Sequence, residues 1–139
     1  MELIEELITK SETEINMMSP LTWAYVGDSV YEMYIRTYLS NTTNLNPHKL
    51  HVLSIKYVKA NAQATILKEL NLTDEEKETV RRGRNTENHH LPKHATAEDY
   101  MYSTAFEALI GYLFLTKKND RLDQILNQCI KIAESKQNK

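Results

Sequence analysis

The sequence predicts an all-α protein, a helical bundle formed by a single domain over residues 1–139. Three observations carry this expectation. Glycine is scarce, with three in 139 residues. A capping side chain stands directly before proline at Ser19-Pro20 and at Asn46-Pro47, the combination that starts helices. Apolar residues recur at spacings of three and four, and no run alternates as a strand would. Hydrophobic residues make up 41% and charged residues 26% of the chain, which is enough apolar material for one core and no case for wholesale disorder.

Taken in order, residues Met1 to Lys10 mix acidic and apolar side chains, so they do not read as a signal peptide. No apolar run approaches the ~20 residues of a membrane span, and no membrane partner is expected. Ser19-Pro20 opens a helix to about Leu39, and Asn46-Pro47 a longer one to about Leu70. Within the second, Leu50, Leu53, Tyr57, Ala60, Ala64 and Leu67 form one continuous apolar stripe. It is either core or a dimer seam, since both bury the same kind of face. Thr73 with Glu76 has the capping-box pattern for a short helix to about Arg82. Gly83 to Ala95, with Asn85, Asn88 and Pro92, reads as the one long break. Thr96 opens a helix to about Leu115 and Asn119 a last one, whose polar tail from Lys131 is expected to fray.

The formal charge of −2 argues against a protein that coats nucleic acid by bulk positive charge. Charge is instead segregated. Glu2, Glu5, Glu6, Glu12 and Glu14 face only Lys10 among the first nineteen residues, whereas Arg81, Arg82, Arg84 and Lys93 face only Glu87 between Arg81 and His94. Cys129 is the sole cysteine, so neither a disulfide framework nor a cysteine metal site can be built, and a reducing cytoplasm fits.

Two carboxylates break the amphipathic pattern. At helical spacing Asp28 shares a face with Leu21, Ala24, Tyr25 and Ile35, and Glu107 shares one with Tyr100, Ser103, Gly111 and Phe114. A buried, unpaired carboxylate costs several kcal/mol, so each needs a cation, a hydrogen-bond partner or a metal. Ordinary salt-bridged acids are one account. The glycines favour another: Gly27 precedes Asp28 and Gly111 lies one turn after Glu107, although a mid-helix glycine costs about 1 kcal/mol relative to alanine. Close approach of the two helices would gather both acids around a hard divalent cation, which prefers oxygen ligands. Glu32, one turn beyond Asp28, either supports that site or lies on a solvated face.

The run Ala24-Tyr25-Val26-Gly27-Asp28-Ser29-Val30-Tyr31-Glu32 resembles the signature helix of ribonuclease III catalytic domains. Thr104-Ala105-Phe106-Glu107-Ala108-Leu109-Ile110-Gly111-Tyr112-Leu113 resembles their second acidic helix, and Arg82-Gly83-Arg84-Asn85 lies between the two in the family's order. There are departures. The larger enzymes carry glutamates seven and four residues before the signature aspartate, where this chain has Leu21 and Ala24, and an aspartate three before the final glutamate, where it has Thr104. No double-stranded-RNA-binding domain is expected after the last helix. Both features are similar to the mini branch of the family.

The resemblance implies a homodimer in which each active site cuts one strand of double-stranded RNA, leaving 5′-phosphate and 3′-hydroxyl ends. It implies Asp28 and Glu107 as catalytic residues and ligands of Mg²⁺, with Mn²⁺ able to substitute, activating water for in-line attack on phosphorus. Precursor large-subunit (23S) ribosomal RNA is the implied substrate. A ribosomal protein helper is also expected, because so small a domain binds weakly once salt screens its phosphate contacts. The segment from Arg81 to His94 is the expected RNA contact: Arg81, Arg82, Arg84 and Lys93 for phosphates, Asn85, His89, His90 and His94 as donors to phosphate or ribose in the shallow groove. A solvated basic loop is the plainer account. Pro92 breaks the helix that a metal site at His90 and His94 would need. Tyr25, Tyr31, Tyr34 and Tyr38 on one helix read as packing or a dimer interface, and Trp23 as packing. The alternatives to a nuclease are a non-catalytic ribonuclease III-like module for RNA binding or ribosome assembly, and a purely structural helical dimer.

Overall fold

A computed structural model describes residues 2–86 and 96–137, and within them every regular element is a helix. In chain order these are α1 (Glu2–Glu5), α2 (Glu12–Asn16), α3 (Pro20–Thr42), α4 (Pro47–Val58), α5 (Ala60–Glu69), α6 (Asp74–Asn85), α7 (Ala97–Leu115) and α8 (Asn119–Gln137). Side-chain caps start four of them where the sequence places them. Ser19 Oγ accepts from Leu21 N at 3.2 Å, Asn46 Oδ1 from Lys49 N at 2.9 Å and Thr96 Oγ1 from Asp99 N at 3.0 Å. Thr73 and Glu76 close a complete capping box, 3.2 Å and 3.0 Å. A second box, Ser11 with Glu14, starts α2, a helix the sequence reading passed over.

α7 is the axis of the fold. From Ser103 to Phe114 every residue is buried except Glu107. A helix apolar on all sides belongs at the centre of its domain, and α3, α5, α6 and α8 all pack against this one. Tyr31 of α3 meets Phe106 of α7 edge to face at 4.8 Å between ring centres, and Trp23 meets Tyr112 at 4.9 Å. Trp23 Nε1 donates to the Ile15 carbonyl at 2.9 Å and Tyr112 Oη to Asn16 Oδ1 at 2.9 Å, which ties α2 down onto the core. Trp23 is a packing residue, as expected.

Three boundaries differ from the sequence reading. The long helix expected from Pro47 to Leu70 is two helices, α4 and α5, separated at Lys59, whose ψ of 156° is extended. The stripe runs through the break because Tyr57 on α4 and Ala64 and Leu67 on α5 all turn to the core; three-four spacing does not register a change of axis. Helix α6 continues to Asn85, so Arg81, Arg82, Arg84 and Asn85 lie on its final turns rather than in a loop. Gly83 is buried there, where α6 crosses Ala105 and Ala108 of α7 closely enough that an added methyl would meet Ala108 Cβ at 2.9 Å. Finally, α8 extends to Gln137 and buries Ala133, because one apolar face persists through its polar tail.

Candidate active site

α3 and α7 cross at two glycines. A methyl group on Gly27 would collide with the Glu107 carbonyl oxygen, and one on Gly111 with the Trp23 carbonyl oxygen. No side chain fits between these backbones, so the conformational penalty of a mid-helix glycine is accepted in return for contact. Asp28 follows Gly27 directly and Glu107 lies one turn before Gly111, so the crossing carries the two acids to each other.

They meet as hydrogen-bonded partners. Two carboxyl groups can share a hydrogen bond only if one holds a proton, and the burial of Glu107 favours its neutral form. Burial raises its pKa, the hydrogen bond to Asp28 and the charge of Asp28 raise it further, and Glu32 adds to the push; a hydrogen bond from Gln63 opposes them, leaving Glu107 up at about 9. Glu32 is half-buried and forms a loose pair with Arg36 at 3.5 Å.

The burial of the two acids is unequal. Glu107 is half-buried, as its face suggested, but Asp28 is exposed and its neighbour Tyr25 is 80% exposed. The apolar face of α3 runs through Trp23, Ala24, Tyr31, Ile35 and Leu39, and Asp28 sits at its edge. Shared spacing with Ala24 and Ile35 located the residue but overstated its burial, because a stripe about 100° wide has margins.

Gln63 is the residue the sequence reading missed. It lies on α5, is 2% exposed, donates from Nε2 to the Val58 carbonyl at 3.1 Å, and reaches Glu107. Its Oε1 has no partner among the described residues, a condition that costs about 1–3 kcal/mol for a buried acceptor. The signal was available: Gln63 is in phase with Ala60 and Leu67, a polar side chain on an apolar stripe, as Glu107 is.

The basic residues divide by their surroundings. Arg82 stacks its guanidinium over the Trp23 ring at 4.6 Å and donates to the Asn16 carbonyl at 2.9 Å. Arg81 is exposed and held by Glu78, with Nε to Oε2 at 2.8 Å. Arg84 and Asn85 make no side-chain hydrogen bond or ion pair among the described residues and so remain open to a ligand. Lys93 and His94, with His89, His90 and Pro92, lie outside the described residues.

This arrangement has relatives. Residues 21–118 match the Ribonuclease III domain family. The chain is 40% identical over 131 residues to Mini-ribonuclease 3 of Staphylococcus aureus, spanning 91% of this chain and 98% of that one. The chain belongs to the mini-ribonuclease III family. Mini-ribonuclease 3 of a Thermoanaerobacter species is 43% identical over 131 residues, 93% of this chain and 91% of its own. A crystal structure of a Fusobacterium nucleatum protein matches with a TM-score of 0.75 at 32% identity, over 85% of this chain and 96% of that one.

A divalent metal is a feature of ribonuclease III enzymes in general, and the donors that Asp28 and Glu107 offer suit one. The donors are hard oxygens, and Glu107 retains a proton that a cation would displace. Among the described residues no group of three or more His, Cys, Asp or Glu side chains is placed to hold a metal. Two carboxylates suffice for Mg²⁺, which commonly takes one or two and completes its octahedron with water and phosphate oxygens.

Proposed function

We propose that this chain is a double-strand-specific endoribonuclease that depends on Mg²⁺, with Mn²⁺ as a substitute, and that Asp28 and Glu107 are its catalytic metal ligands. The observation that carries the reading is the hydrogen-bonded pair at the glycine crossing: two acids placed together at the expense of a proton, one of them exposed at the surface. A cation bound there would neutralise phosphate charge and make water a competent nucleophile near neutral pH.

The chain's own residues then have distinct tasks. Asp28, being exposed, would meet the incoming RNA, and Glu107, being half-buried, would hold the cation together with it. α6 crosses α7 at Ala105 and Ala108, beside Glu107. In this reading Arg84 and Asn85, on the last turn of α6, neutralise phosphate or reach ribose hydroxyls and read shape more than sequence. Arg81, Lys93 and His94 complete that contact in this reading, and Arg82 contributes its outward charge while it stays stacked on Trp23.

The proposal extends to a homodimer, each protomer cutting one strand of the duplex. Tyr25 on α3 is 80% exposed, and in this reading a second copy covers its ring while leaving Asp28 open to the RNA. The proposed substrate is precursor 23S ribosomal RNA in the cytoplasm, cut to 5′-phosphate and 3′-hydroxyl ends, with a ribosomal protein helping to present it.

The test is cleavage of an end-labelled RNA duplex by wild type and Asp28→Asn, in Mg²⁺ or EDTA, with circular dichroism to verify folding. Wild type should cut both strands only in Mg²⁺, and the folded variant should bind without cutting. RNA binding by both and cutting by neither would establish a non-catalytic binding module instead.

A further inference from the structure

Gln63 is held in a way that packing alone does not require. Its neighbours on the buried face of α5 are Ala64, Ile66 and Leu67, and an apolar side chain of similar length would fill the same space. The amide instead has one nitrogen and two acceptors around it. The break between α4 and α5 frees the Val58 carbonyl from helical hydrogen bonding, and Gln63 Nε2 donates to it at 3.1 Å. The same side chain reaches Glu107 of α7.

The orientation of the amide follows. Turning it over would set Oε1 against a carbonyl and a carboxyl, both of which need a donor. The nitrogen therefore faces the acid, and Oε1 is left without a partner among the described residues. An amide anchored through one N–H has its second N–H directed by the plane of the group, so the Val58 carbonyl sets the direction from which Glu107 is held.

We propose that Gln63 is a positioning residue for the metal site, donating from its amide nitrogen to Glu107 so that the carboxylate is held toward Asp28. This rests on the reading of Asp28 and Glu107 as metal ligands. The hydrogen bond fixes one Glu107 oxygen and leaves the other for the cation, the role that groups behind a metal ligand commonly play. The kink at Lys59 thereby gains a function, since a continuous helix would have no free Val58 carbonyl to aim the amide.

The test uses the full chain with Gln63→Met, which keeps length and volume without a donor, and Gln63→Glu, which keeps the shape but places an acid where the donor was. Three quantities are measured: Mn²⁺ affinity by calorimetry in the absence of RNA, kcat and KM for an RNA duplex at saturating Mg²⁺, and duplex affinity in EDTA. Mn²⁺ affinity and kcat should each fall about 10- to 100-fold, the usual effect of losing the partner of a metal ligand, while KM and duplex affinity in EDTA hold. Gln63→Glu should lose at least as much as Gln63→Met, and it decides the matter if the methionine variant does not fold. Variants that melt earlier but keep wild-type Mn²⁺ affinity and kcat would overturn the proposal and make Gln63 a packing residue. If wild type itself neither binds Mn²⁺ nor cuts, the nuclease reading falls and this inference falls with it; an active wild type with unaltered variants sinks this inference alone.

Discussion

Gly27 of α3 and Gly111 of α7 face each other at backbone contact, each beside the other helix's main chain where a single methyl group would not fit. This pair sets the distance between the helices that carry Asp28 and Glu107.

Alanine at either glycine should therefore harm the protein, although alanine in a helix is ordinarily better by about 1 kcal/mol. The colliding atoms are carbonyl groups of the facing helix, which cannot rotate away. Gly27→Ala and Gly111→Ala should each cost about 3 kcal/mol or more, at the upper end for overpacking, read as the midpoint of urea unfolding. Cleavage should fall further than the folded fraction does, since separating the helices parts the acids; activity tracking the folded fraction alone would count against that coupling.

Glu107 gives the metal-free protein a specific pH dependence. Its carboxyl is raised from an ordinary 4.5 to about 9, so between those values the native state binds a proton that the unfolded chain has released. Stability from this group is full below the lower value and lost as pH rises through the upper one. In EDTA, Glu107→Gln should gain in melting temperature over wild type as pH rises across that window. A gap that is the same at both ends of the range would show that Glu107 is ionised in the folded protein.

The basic residues of α6 should separate by function. Arg84→Ala should weaken duplex binding and lower the salt slope by about 1, as loss of one phosphate contact does, with no change in melting temperature. Arg82→Ala should lower melting temperature as well, because it removes the cation over Trp23 and the donor to Asn16. Equal effects of the two variants on stability would refute this division.

Glu76 is 5% exposed and is held by Arg121 through two bonds, 2.7 Å and 2.9 Å, while Arg121 also donates to the Asn71 carbonyl at 2.6 Å. Burial pushes its carboxyl up, but the Arg121 and Thr73 hydrogen bonds outweigh that and hold it below its ordinary value. Arg121→Leu leaves this acid unpaired and should cost about 3 kcal/mol. Glu76→Gln with Arg121→Leu should recover part of it, and a double-mutant cycle with no coupling would remove the pair from the account of stability.

Much of this was legible in the chain itself. Ser19, Asn46, Thr73 and Thr96 announce helices because a cap is a local interaction, made within three residues. Asp28 and Glu107 were visible because an acid beside a run of apolar neighbours conflicts with its surroundings, and the nearby glycines pointed to a close crossing. Gln63 carried the same signal more faintly, being neutral and lying in a stripe that reads as plain packing.

The sequence by itself determined the all-helical class, the helix starts and the two acids, since each depends on residues within a turn or two of one another. Only the tertiary structure decided that α4 and α5 part at Lys59, that Asp28 lies at the surface while Glu107 lies beneath it, that Arg82 is committed to Trp23, and that a glutamine from a third helix touches the acid pair. Those outcomes depend on which faces meet across the bundle, and helical periodicity describes one helix at a time.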